Sequence, residues 1–265
     1  MNLHGRDLGG SGPVVLILHG LFGSSQNWVG MGRRLAGSER GAALGRVLAL
    51  DLRNHGDSPH APSMTLKDCV EDLRESIPAV PAIVIGHSLG GLVAMGLALT
   101  HPELVAGVCS IDIAPRPYPG DHEREFACLE TDISGCRTRS ELDALLAPTL
   151  PDERERSFIL MNAVRDGVGF RWRLNVSALR THTASRDLGP DWGTFGGESL
   201  LVACGRSPYV RPQDYEAMRL HFPNARIETI PQADHWPHVT AADALRVLLE
   251  AFLRRAAGAT RSTMQ

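Results

Sequence analysis

Gly86-His87-Ser88-Leu89-Gly90-Gly91 follows the apolar run Ala82-Ile83-Val84-Ile85 and precedes Leu92-Val93-Ala94-Met95-Gly96-Leu97-Ala98-Leu99. The order is strand, sharp turn, helix, with a serine at the apex in a Gly-x-Ser-x-Gly pattern. The flanking glycines have a steric reason. A turn this tight strains the serine backbone and brings strand and helix together, leaving little room for neighbouring Cβ atoms. The hydroxyl is thereby expected to stand above a helix N-terminus, where backbone N–H groups and the helix dipole favour developing negative charge.

Outward from this turn, similar runs recur. Val14-Val15-Leu16-Ile17-Leu18 ends at His19-Gly20, Val47-Leu48-Ala49-Leu50 ends at Asp51, and Val108-Cys109-Ser110-Ile111 ends at Asp112. Continuous rather than alternating apolar strands predict a parallel sheet covered on both faces. Leu66, Val70, Leu73 and Ile77 recur at helical spacing behind Thr65, a suitable N-cap. Strand–helix alternation predicts an α/β protein with a doubly wound sheet and functional loops at the carboxyl ends of the strands. The rhythm breaks at Ala114-Pro115-Arg116-Pro117-Tyr118-Pro119-Gly120. From about Asp121 to Ala184 the chain reads as helices without strands: Glu123–Asp132, Ser140–Leu146, Asp152–Val164 and Trp172–Thr181. Strands resume at Leu200-Leu201-Val202-Ala203-Cys204 and Arg226-Ile227-Glu228-Thr229-Ile230. A last helix carries Leu245, Leu248, Leu249, Phe252 and Leu253, with a frayed tail expected from Ala256. Residues 1–114 and 185–265 are expected to form the core, and 115–184 an inserted helical cap.

Composition excludes several functions. The 265 residues are 43% hydrophobic and 22% charged, with a net charge of −3. That balance offers no basic field for nucleic acid. The apolar stretch from Ile83 to Leu99 is interrupted by His87 and Ser88, so no membrane span is expected. Met1-Asn2-Leu3-His4-Gly5 lacks a basic region followed by an apolar stretch, the mark of a signal peptide. Five cysteines without a Cys-x-x-Cys pair read as reduced thiols, not metal ligands. No metal or cofactor is expected, and the compartment reads as cytoplasmic or as that of an organellar mature form.

A serine hydroxyl needs a base within reach, and the base needs an orienting partner. Among the late histidines, His235 follows the strand at 226–230, where a loop reaches back over Ser88. His238 stands second, and His221 reads as the end of a surface helix. The acid is expected in the loop after the strand at 200–204, but that loop reads Cys204-Gly205-Arg206-Ser207. Asp112, ending the strand after the nucleophile strand, is the preferred replacement. Asp214 and Glu198 are runners-up, and Asp234 ranks lower as a solvated loop charge. Oxyanion donors are expected from the backbone N–H of Leu89 and from Leu21, with Phe22 second, in His19-Gly20-Leu21-Phe22-Gly23-Ser24. His19 and His87 read as structural.

These motifs, with Asp51-Leu52-Arg53-Asn54-His55-Gly56-Asp57-Ser58-Pro59-His60 and Ile111-Asp112-Ile113-Ala114-Pro115, resemble the YbfF-like esterases of bacteria and their mitochondrial abhydrolase-domain relatives, in the α/β-hydrolase superfamily. The resemblance covers the core nearly end to end and the cap more weakly. It implies the α/β-hydrolase fold, an acid at the Asp112 position, and hydrolysis of carboxylic esters or thioesters, acyl-CoA-like substrates included. A small-molecule substrate with a small to medium acyl group, and a monomer or homodimer, are expected. This chain departs in having Asp234 where glycine is usual, and in Cys204 and Arg206. Carbon–carbon bond hydrolysis and perhydrolysis use the same triad, and a non-catalytic ligand sensor is the alternative of a different class. A haloalkane dehalogenase would need a carboxylate at Ser88.

Overall fold

Successive residues of a strand face opposite sides of its sheet, so an unbroken apolar strand must bury both. In the computed structural model, which describes residues 1–37, 44–77, 80–118, 122–182, 188 and 192–263, this is how the central strands pack. The strands are β1 (Gly5–Gly9), β2 (Val14–Leu18), β3 (Arg46–Leu50), β4 (Ala82–His87), β5 (Val105–Ile111), β6 (Ala163–Asp166), β7 (Gly169–Trp172), β8 (Glu198–Cys204) and β9 (Arg226–Ile230). The helices are α1 (Val29–Ala36), α2 (Leu66–Ser76), α3 (Leu89–Thr100), α4 (Glu123–Leu129), α5 (Arg139–Leu146), α6 (Glu153–Leu160), α7 (Val176–His182), α8 (Asp214–His221), α9 (Pro237–Thr240) and α10 (Ala242–Thr263). The main sheet has seven strands in the order β1-β3-β2-β4-β5-β8-β9, parallel except for the β1 edge. Val15, Ile17, Ile83 and Ile85 pack with Leu35 of α1 and Leu249 and Phe252 of α10. Leu16, Leu18 and Val84 pack on the other side with Val70 and Leu73 of α2 and Val93 and Leu97 of α3. Thr65 caps α2 as expected, accepting from the Asp68 amide at 3.1 Å.

α3 is buried from Leu89 through Leu99, which accounts for its apolar character all round. Its close approach to the sheet requires the elbow glycines. A Cβ on Gly86 would lie 2.1 Å from the Gly90 carbonyl oxygen, and one on Gly90 would lie 2.6 Å from the carbonyl oxygens of both Leu18 and His19.

Between β5 and β8 the chain leaves the sheet and forms α4 to α7. The expectation of helices alone there is corrected. Ala163–Asp166 and Gly169–Trp172 pair as an antiparallel hairpin. Asp166 pairs with Gly169, so Gly167-Val168 is the two-residue turn, and Gly167 takes the φ of 57° that its first position needs. The helices expected at Asp152–Val164 and Trp172–Thr181 therefore shrink to Glu153–Leu160 and Val176–His182. The boundary expected at 184/185, like Pro119, Gly120 and Asp121, lies outside the described residues. The insertion is tied to the core by Asn162, whose Nδ2 donates to the Phe22 carbonyl at 2.8 Å, and by Asn175, whose Nδ2 donates to Asn54 Oδ1 at 3.0 Å. The frayed tail is also corrected: α10 continues to Thr263 through an alanine-rich stretch that favours helix. Among the described residues, no helix is long and apolar enough to cross a membrane.

Candidate active site

Ser88 and Asp112 stand at the carboxyl ends of neighbouring parallel strands. His87 of β4 pairs with Ile111 of β5, and the Ser88 amide donates to the Ile111 carbonyl at 3.0 Å. Both residues adopt positive φ, 50° for Ser88 and 53° for Asp112. Such backbone is costly for a side-chain-bearing residue and persists where the surroundings over-determine it. Asp112 is fully buried, and its amide donates to Val202 of β8 at 2.8 Å.

His235 lies in the loop after β9. Its Nδ1–H donates to Asp112 Oδ2 at 2.7 Å, while Asp112 Oδ1 accepts from the Cys204 amide at 3.1 Å. A carboxylate on Nδ1 sets the tautomer and leaves Nε2 as the basic nitrogen. The His235 carbonyl accepts from His87 Nε2 at 2.6 Å. Burial, together with the neighbouring His235 and His238, holds His87 well below the usual histidine range, so it is a neutral donor. Ser88 and His235 line one cavity of about 360 Å³. Among the described residues, Ser88 Oγ has no hydrogen-bond partner, a looseness common at unliganded sites.

The cavity is also bounded by Leu21, Phe22, Tyr209 and Trp236 from the core and by Glu125, Glu155, Phe158 and Ile159 from the insertion. Burial pushes the Glu155 carboxyl up, helped by Asp152 and Glu125. Of the expected oxyanion donors, the Phe22 amide is already committed, donating to His55 Nε2 at 3.2 Å. Among the described residues, the amides of Leu21 and Leu89 have no acceptor. The loop holding Leu21 is braced from below. His19 accepts from the Leu52 amide at 3.0 Å, and His55 Nδ1 donates to the Arg53 carbonyl at 2.9 Å. Arg53 in turn makes a two-pronged pair with Asp72 of α2 at 2.5 and 2.9 Å. The distinctive Arg53-Asn54-His55-Gly56 stretch thus works as scaffolding beneath the turn after β2.

The other candidates lie elsewhere or do other work. Asp214 pairs with Arg116 at 2.9 Å, Glu198 with Arg255 at 2.5 Å. Asp234 turns from the imidazole and accepts from the Trp236 amide and from Thr240 Oγ1, both at 2.9 Å, fastening the start of α9. His221 Nδ1 donates to the Gly193 carbonyl at 2.9 Å. His238 lines the cavity but stacks on Trp28 with ring centroids 4.5 Å apart. One grouping has metal-ligand spacing among the described residues, His4 with Asp51 and Asp57, and it does not line the cavity. There Asp51 is occupied in accepting from the amides of Ser25 and Asp57 and pairing with His4. Sequence reasoning missed Tyr209, whose ring lies on the His235 imidazole at 4.0 Å and 16°. No motif marks a loop tyrosine for that place.

Sheet order, elbow and late histidine are those of an α/β hydrolase, and the family profile of that description matches residues 14–247. The chain belongs to the α/β hydrolase family. It is 35% identical over 237 residues to the sn-1-specific diacylglycerol lipase ABHD11 of Mus musculus, covering 85% of this chain and 76% of that protein. To the esterase YbfF of Escherichia coli K12 it is 32% identical over 249 residues, covering 91% and 92%. A solved marine microorganism esterase superposes with TM-score 0.85 at 30% identity, covering 95% of this chain and 99% of the other.

Proposed function

We propose that this protein is a serine hydrolase that cleaves carboxylic esters of small to medium acyl groups through an acyl-enzyme. The observation that carries the reading is the 2.7 Å contact of His235 Nδ1 with buried Asp112, made beside Ser88 in one cavity. Ser88 Oγ attacks the ester carbonyl carbon and gives its proton to His235 Nε2. The oxyanion accepts from the amides of Leu21 and Leu89. The tetrahedral adduct expels the alcohol, which takes the proton from the imidazolium, and water repeats the sequence to release the acid. A thioester reacts by the same displacement. The lipase and esterase relatives support the ester class. A cavity of about 360 Å³ with Phe158 and Ile159 beside Glu125 and Glu155 supports short, uncharged acyl chains. Five free cysteines support a reducing compartment. A fluorophosphonate probe is expected to label the wild type and not Ser88→Ala; labelling that survives the substitution removes Ser88 as the nucleophile.

A further inference from the structure

The loop after β8, where an acid is absent, meets the candidate base in another way. Tyr209 lies nearly parallel to the His235 imidazole, centroid to centroid 4.0 Å. Its backbone is anchored from the start of the inserted segment. The Tyr209 carbonyl accepts from Tyr118 Oη at 2.9 Å and from an Arg116 guanidinium nitrogen at 3.0 Å. Tyr118 Oη itself accepts from the Ala114 amide at 2.9 Å, two residues beyond Asp112. Burial pushes the Tyr118 phenol up to about 12, so it stays a donor across the working pH range. The Arg116 guanidinium lies 3.9 Å from the Tyr118 ring centroid and pairs with Asp214 at 2.9 Å. On the near side, the Tyr209 amide donates to Ser207 Oγ at 3.3 Å.

We propose that Tyr209 is a positioning residue for His235, presenting its ring face to the imidazolium formed when the serine proton is taken up, and that Tyr118 and Arg116 hold it there. A cation over an aromatic face is attracted by the ring quadrupole, and the attraction grows where water is excluded. The neutral imidazole gains much less, so the stacking favours the charged state, which forms during turnover and, in the resting protein, at acid pH. Other charged or titratable groups also surround the imidazole. They are Asp112 at the end of β5, neutral His87 at the end of β4, His238 on α9, Asp234 next in the chain, Arg206 on the Tyr209 loop, and His122, Glu125 and Glu155 across the cavity. None of these groups is altered in a Tyr209 variant, and Tyr209→Phe controls for the hydroxyl.

The inference rests on His235 acting as base, and its test separates the two. Hydrolysis of 4-nitrophenyl butyrate is followed against pH in the wild type, Tyr209→Phe, Tyr209→Leu and Tyr118→Phe, and the His235 ring protons are titrated by NMR in each. Tyr209→Phe keeps the face and is expected within about twofold of wild type, whereas Tyr209→Leu loses about tenfold in kcat with a smaller change in KM. Its acid limb and its His235 NMR midpoint both move to lower pH by about half a unit, because the charged form has lost its partner. Tyr118→Phe, which cuts the strut and spares the ring, shows the same changes in smaller measure. An unmoved His235 midpoint in Tyr209→Leu overturns the proposal, as does equal damage from Phe and Leu. If Tyr209→Leu does not fold, Tyr118→Phe decides: a wild-type kcat and acid limb there overturn it. The NMR midpoint needs no turnover, so an inactive wild type would count against the hydrolytic reading and not against this one.

Discussion

His87, the residue before Ser88, donates from Nε2 to the main-chain carbonyl of His235 at 2.6 Å. The strand that ends in the elbow therefore also fastens the loop that carries the imidazole. Because burial keeps His87 neutral, this donor has one Nε2 proton and a fixed partner. His87→Ala is expected to lower kcat by up to about a hundredfold through misplacement of the base, with KM changed far less. Steady-state kinetics on a short 4-nitrophenyl ester check it, and a kcat within twofold of wild type would sink the idea.

Asp112→Asn is expected to reduce kcat by up to about four orders of magnitude, since an amide cannot hold the imidazole in the productive tautomer. Asp214→Asn acts only through Arg116 and the Arg211 amide and is expected to cost far less. Side-by-side kcat values decide between them. A crippled Asp214→Asn beside a near-normal Asp112→Asn would return the acid to the loop after β8.

Acid stability has a local source in buried histidines. Burial, and then the charge of neighbouring His235, lower His238 from 6.5 to about 4. Between those values the unfolded chain binds a proton that the folded one refuses. Stability therefore falls as pH drops through this window, at about 1.4 kcal/mol per pH unit for such a group. Among the described residues His238 Nδ1 has no hydrogen-bond partner, and the ring stacks on Trp28. His238→Phe keeps a ring and removes the titration. Urea unfolding at pH 7 and 4.5 is expected to show the variant losing about 2 kcal/mol less than the wild type over that interval; identical losses would contradict the assignment.

Arg53 and Asp72 form a buried pair, 8% and 2% exposed, joining the scaffold loop to α2. Arg53→Leu removes the fork and leaves Asp72 with the Met1 amino group at 2.7 Å, and is expected to destabilise the fold by about 1.5–3 kcal/mol. Chemical denaturation measures the loss. A cost below about 1 kcal/mol would place the pair with weak surface contacts instead.

Much of this architecture was legible before any coordinates. Apolar runs without alternation named the parallel strands, and Gly86 and Gly90 marked a place where helix and strand nearly touch. Chain order and strand ends drew attention to Ser88, Asp112 and His235. What stayed hidden was non-local. The β6–β7 hairpin turns at Gly167-Val168, but a lone glycine is a weak signal and its surroundings read as helix. The β1 edge strand, Gly5–Gly9, is half exposed and glycine-rich, with too few apolar residues to announce itself. The Tyr209 stacking depends on contacts from Tyr118, 91 residues away, and no local pattern records such a meeting.

The insertion lies downstream of Ser88, Asp112 and Leu21 and upstream of His235, which gives the chain a temporal order during synthesis. Ser88, Asp112 and the amides of Leu21 and Leu89 all leave the ribosome with the first 112 residues. The imidazole arrives only with the segment that follows the final strand. On the proposed reading, a polypeptide that ends before residue 235 lacks the base and is expected to be inactive toward esters.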